Sequence, residues 1–203
     1  MELGKMTDTC AFHDLVRRTR SVRRFQEDRA VDRQTLVELI DLARLSASGA
    51  NKQPLKYILS CAESMNARIF ACLGWAAYLK EWPGPREGER PAAYIVILGD
   101  TAIQTDCDRD LGIAAQSIML GATAAGLGGC MLGSINRREL QRILGPLQGL
   151  EILLVIALGT PREEVVIEAV GPDGEIRYWR DAEGVHHVPK RQLEDIIVAS
   201  FPP

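Results

Sequence analysis

The sequence predicts an α+β fold, for three reasons. Apolar residues recur at helical spacing across residues 32–45. Two largely apolar runs, residues 92–98 and 151–159, have the length and the β-branched content of buried strands. A third segment without charge, residues 111–136, begins as a helix and runs into glycines. Because strands and helices mix without strict βαβ alternation, α+β fits better than a doubly wound sheet.

Composition indicates a soluble protein of ordinary domain size. A chain of 203 residues can bury a substantial core, so we expect a single domain over residues 1–203. The net charge of −3 gives no reason to expect nucleic acid or an acidic membrane surface as a partner. The five cysteines include no Cys-x-x-Cys pair, which argues against disulfides and structural zinc. With no signal-peptide core at the N-terminus, we predict a cytoplasmic protein.

An arginine cluster follows a short predicted helix at residues 11–18. Five of the eight positions 17–24 are arginine. One interpretation is a solvated basic turn, which the residues alone favour. Another is a phosphate clamp, because guanidinium groups match phosphate oxygens bidentately and the Ser21 hydroxyl adds a neutral donor. Nucleic acid is a third, weaker alternative, since the chain is acidic and no aromatic residues interleave with the arginines.

The helix at residues 32–45 is followed by a polar loop at residues 46–54. This loop offers amide and hydroxyl groups but no titratable base, and its simplest interpretation is a helix cap and turn. A strand is predicted at residues 57–61 and a helix at 64–78. Residues 80–90 contain Trp-Pro-Gly-Pro and are predicted to be irregular, with a mobile flap over a site as one interpretation.

The uncharged helix that starts near residue 111 is apolar nearly all round, so it should be buried on every side. It is not predicted to span a membrane, because Gln116, Ser117 and Thr123 interrupt it and glycines stop it. Gly126 is a natural left-handed cap. Residues 126–133 are interpreted as a turn, most simply a helix stop, whose backbone N–H groups could also face a bound ring or anion.

The rest of the chain is predicted to contain a helix at residues 137–144, the buried strand at 151–159 and an edge strand at 176–179. A terminal helix is predicted at residues 193–199. No internal repeat or linker interrupts the sequence.

Four separated segments resemble the FMN-dependent nitroreductase family. They are residues 20–25 (RSVRRF), 48–54 (SGANKQP), 126–133 (GLGGCMLG) and 188–193 (VPKRQL), in matching order across nearly the whole chain. The resemblance implies a nitroreductase-like fold, in which a central, mostly antiparallel sheet is surrounded by helices. It also implies an intertwined homodimer with FMN bound at the subunit interface. One face of the apolar helix would then pack on its own sheet and the other on the second subunit.

The resemblance implies four groups of FMN-binding residues and no metal site. They are Arg20, Ser21 and Arg23 at the phosphate, ribityl chain and pyrimidine edge; Ser48, Asn51 and Gln53 in a loop that typically comes from the other subunit; Met131, Leu132 and Gly133, whose backbone lies against the isoalloxazine; and Lys190 with Arg191 at the phosphate. Because cations from both chain ends would then meet one phosphate, the resemblance raises the phosphate-clamp interpretation above the solvated turn.

Two positions depart from the family pattern. Thr19 stands where many relatives have a basic residue, so phosphate contacts would shift to Arg18 or Arg20. Leu55 follows Gln-Pro where many relatives have Trp, which would alter the anchoring of the loop. Residues 80–90 match nothing in the family, so the resemblance leaves the choice of substrate undetermined.

The implied reaction is hydride transfer from NAD(P)H through FMN to a nitroaromatic, quinone or similar acceptor, in a ping-pong cycle. FMN carries this chemistry, so no protein nucleophile or base is expected. Backbone N–H groups near Leu132 and Gly133 would bond flavin N5, and Arg23 would stabilise charge near N1 and O2. His186 and His187 are interpreted as structural, and Cys130 as a small buried hydrophobe. The alternatives are a specialised relative (a reductive dehalogenase or flavin-fragmenting enzyme) and a non-catalytic FMN-binding or storage module.

Overall fold

A four-stranded antiparallel sheet organises the fold. The computed structural model describes residues 9–202. The expectation that the N-terminus carries no signal peptide concerns residues 1–8, which lie outside the described residues. The strands are β1 (Leu55–Ser60), β2 (Ala93–Asp100), β3 (Gly128–Leu132) and β4 (Leu150–Gly159), in the order β1-β2-β4-β3. Each neighbouring pair is antiparallel, and β2 and β4 are the two inner strands.

Helices cover both faces of this sheet, which confirms the α+β class. The helices α2 (Arg33–Leu45) and α4 (Asp108–Ala124) lie on one face, and α3 (Glu63–Phe70) and α5 (Arg137–Leu144) lie on the other. The helices α1 (Thr9–Arg18) and α6 (Leu193–Ile196) have no buried residues. From β2, Ile95 and Ile97 pack with α2 and α4, whereas Tyr94 and Val96 pack with α3 and α5. Side chains alternate along a strand, so a continuous apolar run buries both faces of β2. Within residues 9–202, no helix is long and apolar enough to cross a membrane.

Helix α2 has the predicted boundaries because its start is capped and one face is apolar. The Asp32 side chain accepts a hydrogen bond from the Thr35 backbone N–H at 2.7 Å, which satisfies one of the free donors of the first turn. Leu36, Leu39 and Ala43 are the buried residues of α2, at the spacing of a single helix face.

Helix α4 ends as its glycines predict. Gly126 adopts φ 77°, its N–H donates to Thr123 O at 3.1 Å, and Leu127 N–H donates to Ala122 O at 2.8 Å. This pair of bonds is a Schellman motif. However, Ile113 on α4 is 41% exposed, so the prediction of burial on every side is wrong for the single described chain.

Residues 128–132 of the glycine-rich segment form a strand, so the prediction of a turn is wrong for them. A Cβ at Gly129 would lie 2.9 Å from the Ala157 carbonyl oxygen and 2.9 Å from the Met119 sulfur. Only glycine therefore lets β3 run this close to β4 and α4. Glycine is disfavoured in strands in general, which hides this strand from propensity.

A second sheet near the C-terminus was not predicted. It contains β5 (Val165–Ala169), β6 (Trp179–Arg180) and β7 (His186–Lys190), with β7 in the middle, parallel to β5 and antiparallel to β6. The expected edge strand at residues 176–179 is reduced to β6, which begins only at its last residue. The expected terminal helix is reduced to α6, which has no buried residue to stabilise a longer helix.

The helix expected at residues 64–78 ends at Phe70 instead. The chain turns there because the following residues form backbone hydrogen bonds with a distant segment. Gly74 N–H donates to Ser134 O at 2.8 Å, and Leu73 forms an antiparallel β-bridge with Ile135. Helical periodicity does not report such a tertiary contact.

Residues 80–90 are irregular, as predicted, and they are fastened to the arginine segment. The Glu89 side chain, 3% exposed, lies 2.7 Å from Arg24 Nη2. The Glu27 carboxylate accepts a hydrogen bond from Arg90 N–H at 3.1 Å. Whether the segment moves as a flap stays a prediction.

Candidate functional site

A cleft of about 370 Å³ brings together residues from both ends of the described chain. It lies among the segment after α1, the middle of α4, β3 and the second sheet. Its lining residues are Thr19, Arg20, Ser21, Arg23, Gln116, Met119, Met131, Tyr178, His186, Val188 and Lys190. Five predicted site residues are therefore neighbours: three from the arginine segment, one from β3 and one from β7.

The two arginines of the cleft lack carboxylate partners. Within residues 9–202, neither Arg20 nor Arg23 forms a salt bridge, and the Nε of each is buried without a hydrogen-bond partner. Arg20 Nη2 donates to Val16 O at 2.9 Å, and desolvation by burial lowers the pKa of Arg20. Buried cations without counter-ions are costly, so this cleft is suited to an anion.

Strand β7 adds a third cation through its alternation. His186, Val188 and Lys190 line the cleft, as alternate residues on one face of a strand do. The intervening His187 contacts two carboxylates instead: its Nδ1 lies 3.2 Å from Glu168 Oε2, and its Nε2 lies 3.1 Å from Asp181 Oδ2. The structure thus brings Lys190 to Arg20 and Arg23 across nearly the whole chain.

Two other arginines of the cluster, Arg18 and Arg24, form ion pairs outside the cleft. Arg18 is exposed, pairs with Asp14 at 2.6 Å and does not line the cleft. Thr19 is 5% exposed, and its hydroxyl donates to Leu15 O at 2.7 Å. Arg23 is 9% exposed, so a solvated turn does not describe this segment.

A buried carboxylate fixes the backbone of this segment. The Glu163 side chain, 0% exposed, forms a 2.7 Å ion pair with Arg180 Nη2. It also accepts hydrogen bonds from the backbone N–H groups of Arg23 and, at 3.2 Å, Arg24. The negative charge of Glu163 is therefore matched by Arg180, which leaves the side chains of the cleft arginines available.

Neither His186 nor Cys130 is a ready acid, base or nucleophile. Burial, together with the positive charges of Arg23 and Arg180, lowers the pKa of His186 to about 4. Burial raises the pKa of the Cys130 thiol, which therefore stays protonated and behaves as the small apolar residue predicted.

The loop with Ser48, Asn51 and Gln53 does not reach this cleft in the same chain. Ser48 and Gln53 line a separate cavity of about 270 Å³ with Asp110 and Ala114 of α4. Asn51 lines neither this cavity nor the cleft. Helix residues advance by about 100° each. The α4 residues of this second cavity and those of the cleft, at positions 116 and 119, therefore lie on opposite sides of the helix.

The loop is internally ordered and attached to α4. Ser48 Oγ accepts a hydrogen bond from Gln53 N–H at 2.9 Å, and the Gln53 amide donates to Asn51 O at 3.1 Å. Asp110 accepts from Gly49 N–H at 3.0 Å. These bonds hold the three predicted side chains in one compact turn.

Three further predicted residues lie outside the cleft. Leu132 is 4% exposed and belongs to the core on the α3 and α5 side of the sheet. Gly133 follows β3, and a Cβ there would meet nothing within 4 Å. Arg191, which follows β7, lines a different surface depression with Pro172 and Asp195.

Comparison with known proteins identifies the fold and the family. Residues 16–160 match the model of the nitroreductase family, which is more than half of the chain. The chain belongs to the nitroreductase family. A relative from Archaeoglobus fulgidus, provisionally named NADH dehydrogenase/NAD(P)H nitroreductase, is 25% identical over 154 residues, covering 72% of this chain and 83% of the relative.

Solved structures confirm the nitroreductase-like fold. A provisionally named nitroreductase from Desulfovibrio desulfuricans, crystallised with FMN, is 19% identical with a TM-score of 0.67, covering 98% of this chain and 100% of the other. An FMN-dependent nitroreductase from Clostridium difficile is also 19% identical, with a TM-score of 0.62, covering 74% of this chain and 87% of the other. At this identity the likeness concerns the fold alone.

In this nitroreductase, sequence reasoning missed six residues that line the cleft. They are Thr19, Gln116, Met119, Tyr178, His186 and Val188. Two signals were present: Gln116 is polar within an uncharged helix, and the period of two from His186 to Lys190 is that of a strand. Four lining residues lie beyond residue 160, outside the match to the family model. The C-terminal sheet therefore completes the cleft.

Proposed function

We propose that this chain binds FMN in the cleft and transfers hydride from NAD(P)H through FMN to a nitroaromatic, quinone or similar acceptor, in a ping-pong cycle. The observation that carries the proposal is the group of Arg20, Arg23 and Lys190 around one cleft, with buried guanidinium nitrogens that lack partners. The family and the names of the relatives support oxidoreductase chemistry in general. NAD(P)H as donor, the acceptor and the ping-pong order are the proposal.

The cleft residues fit the chemistry of FMN. Its phosphate is an anion that Arg20 and Lys190 would hold, since charge-assisted bonds to phosphate are the strong ones. Arg23 and Ser21 offer donors for the carbonyl and nitrogen atoms of the pyrimidine edge. Met131, which is 36% exposed, offers an apolar contact for the ring. Arg191 is not part of this proposal, because it lines another depression.

Bound FMN would supply the redox chemistry between the nicotinamide and the acceptor. The chain provides binding and electrostatics. Arg23 would present its guanidinium to FMN from a largely buried position, where its electrostatic effect is stronger than in solvent. The neutral His186 and the protonated Cys130 thiol remain outside the chemistry, so proton delivery falls to solvent.

We further propose that two chains form an intertwined homodimer and that the partner supplies the loop of Ser48, Asn51 and Gln53 to each FMN. Two observations support this: the loop and the cleft lie on opposite sides of α4, and α4 keeps an exposed face with Ile113. Sedimentation would give twice the chain mass with one FMN per chain. A monomer that binds FMN with full affinity would contradict the shared site.

The organisation and location of the chain are also proposals. We propose that residues 1–203 act as one domain. We propose a cytoplasmic location, supported by the thiols of Cys61, Cys72, Cys107 and Cys130, which form no disulfide.

Anaerobic reduction tests the proposed reaction. The FMN-loaded protein is mixed with NADH or NADPH, and the visible absorbance of the oxidised flavin is followed. We expect bleaching, followed by recovery when a quinone or nitroaromatic is added. FMN that binds but is inert to both nicotinamides would favour the storage module instead.

Arg23→Ala tests the assignment of the cleft. Removing a charge-assisted hydrogen bond costs about 1.5–3 kcal/mol, so the dissociation constant of FMN should rise about tenfold to a hundredfold. The flavin should also become harder to reduce. The exposed Arg138 of α5 lies outside the cleft, and Arg138→Ala is the matched control. Equal FMN affinity and reduction potential in both variants would contradict the assignment.

A further inference from the structure

His186 is a buried residue whose protonation state follows from its contact. Its side chain is 0% exposed, and its Nε2 lies 3.1 Å from Arg23 Nη1. A guanidinium has donors and no acceptor. The Nε2 atom must therefore accept, so that the ring is neutral and its proton sits on Nδ1.

Besides His186, other groups also restrain the Arg23 guanidinium. The face of the Tyr178 ring lies 4.7 Å from Arg23 Cζ, and Ser21 O accepts from Nη1 at 3.4 Å. The Tyr178 and His186 rings are themselves 5.2 Å apart. The guanidinium is thus fixed against one wall of the cleft, and its Nε has no partner within residues 9–202.

The surroundings of His186 keep its acceptor available. Burial disfavours a charged imidazole, and the facing charges are positive: Arg23 and Arg180, with Arg180 already paired to Glu163. The nearby titratable side chain on β7, His187, is directed to Glu168 and Asp181 instead. A protonated His186 would lose the bond to Arg23 and add a further cation to a site that is already positive.

We propose that His186 is a positioning residue, whose neutral imidazole holds the Arg23 guanidinium at the orientation in which it contacts bound FMN. This inference rests on the proposed function, and it adds a role for a side chain from the C-terminal sheet. The proposal gives His186 no contact with a reacting atom. It acts through Arg23, by replacing the several orientations of a long side chain with one.

Three substitutions separate positioning from simple packing. In His186→Gln, the side-chain oxygen can reach the place of Nε2 and accept from Arg23. In His186→Asn, the oxygen stops near the place of Nδ1, one methylene short. His186→Leu fills space without an acceptor. We expect FMN to bind about tenfold more weakly to the Asn and Leu variants, and within about threefold of wild type to the Gln variant.

The reduction potential gives a readout that packing alone would not move. In the Asn and Leu variants it should shift in the direction of Arg23→Ala, and the Gln variant should restore it. In an Arg23→Ala background, His186→Asn should change neither affinity nor potential further, because the residue acts only through Arg23. Equal effects with and without Arg23, or a Gln variant as impaired as Asn, would overturn the inference.

Nitrogen NMR of the FMN-free protein decides the contact independently of FMN and of variant folding. We expect His186 to show the Nδ1–H tautomer at neutral pH, with Nε2 as acceptor. The opposite tautomer, or a charged ring, would overturn the inference while leaving FMN binding intact. A wild-type protein with the expected tautomer that binds no FMN would instead overturn the proposed function.

Discussion

Acid should destabilise this protein through His186, and glutamine at that position should remove the effect. A histidine that is buried neutral binds fewer protons in the folded chain than in the unfolded chain. Its contribution to the free energy of unfolding is therefore present above the ordinary pKa of 6.5 and declines as the pH falls toward the folded value.

The size of the effect follows from the two pKa values of His186. The folded pKa is about 4 and the ordinary value 6.5. Each pH unit between these two values lowers the free energy of unfolding by about 1.4 kcal/mol. Lowering the pH from 6.5 to 5 should therefore remove about 2 kcal/mol, and the loss should level off near 3 kcal/mol below pH 4.

Urea unfolding of the FMN-free protein at fixed protein concentration, from pH 7.5 to 5, measures this difference. The stability of wild type minus that of His186→Gln should decline by about 2 kcal/mol over this range. His187 provides the control, because its bonds to Asp181 and Glu168 raise its pKa. Its contribution is present below its ordinary pKa and is lost as the pH rises through its folded pKa, so His187→Gln should show the opposite sign. A wild type and His186→Gln pair with parallel pH profiles would refute the reasoning.

Two further predictions concern stability. Gly129→Ala should lower the free energy of unfolding by about 1–3 kcal/mol, because the new Cβ would lie 2.9 Å from a backbone oxygen. Gly133→Ala is its control and should be neutral, because a Cβ there meets nothing within 4 Å. Equal stabilities of the two variants in urea would contradict the close approach of β3 to β4. Glu89→Gln should cost about 2 kcal/mol, because it weakens the bond to Arg24. Glu87→Gln, at an exposed position, is its control. Proteolysis within residues 80–90 should become faster in Glu89→Gln and stay unchanged in Glu87→Gln.

The fold was predictable where local chemistry decides it. Helix α2 has an acidic cap and a single apolar face, and β2 is a continuous apolar run, so each was found at nearly its true position. Strand β3 was missed because its glycines are selected by a tertiary approach to Ala157 and Met119. The shortening of α3 depends likewise on a bond between Gly74 and Ser134.

The candidate site was predictable in part, for a related reason. Arg20, Arg23 and Lys190 were found through the family resemblance, and the geometry brings them together. Tyr178 and His186 were not, because their place depends on the second sheet, in which β5 and β7 pair in parallel across a long connection. Pairing between distant segments leaves little trace in a local sequence pattern.

The most direct test of the central claim compares FMN with riboflavin, which lacks the phosphate. If Arg20 and Lys190 hold that phosphate, wild type should bind FMN at least about a hundredfold more tightly than riboflavin. Arg20→Ala and Lys190→Ala should each lower this preference about tenfold, and Arg138→Ala should leave it unchanged. Equal affinity for the two flavins in wild type would contradict the account.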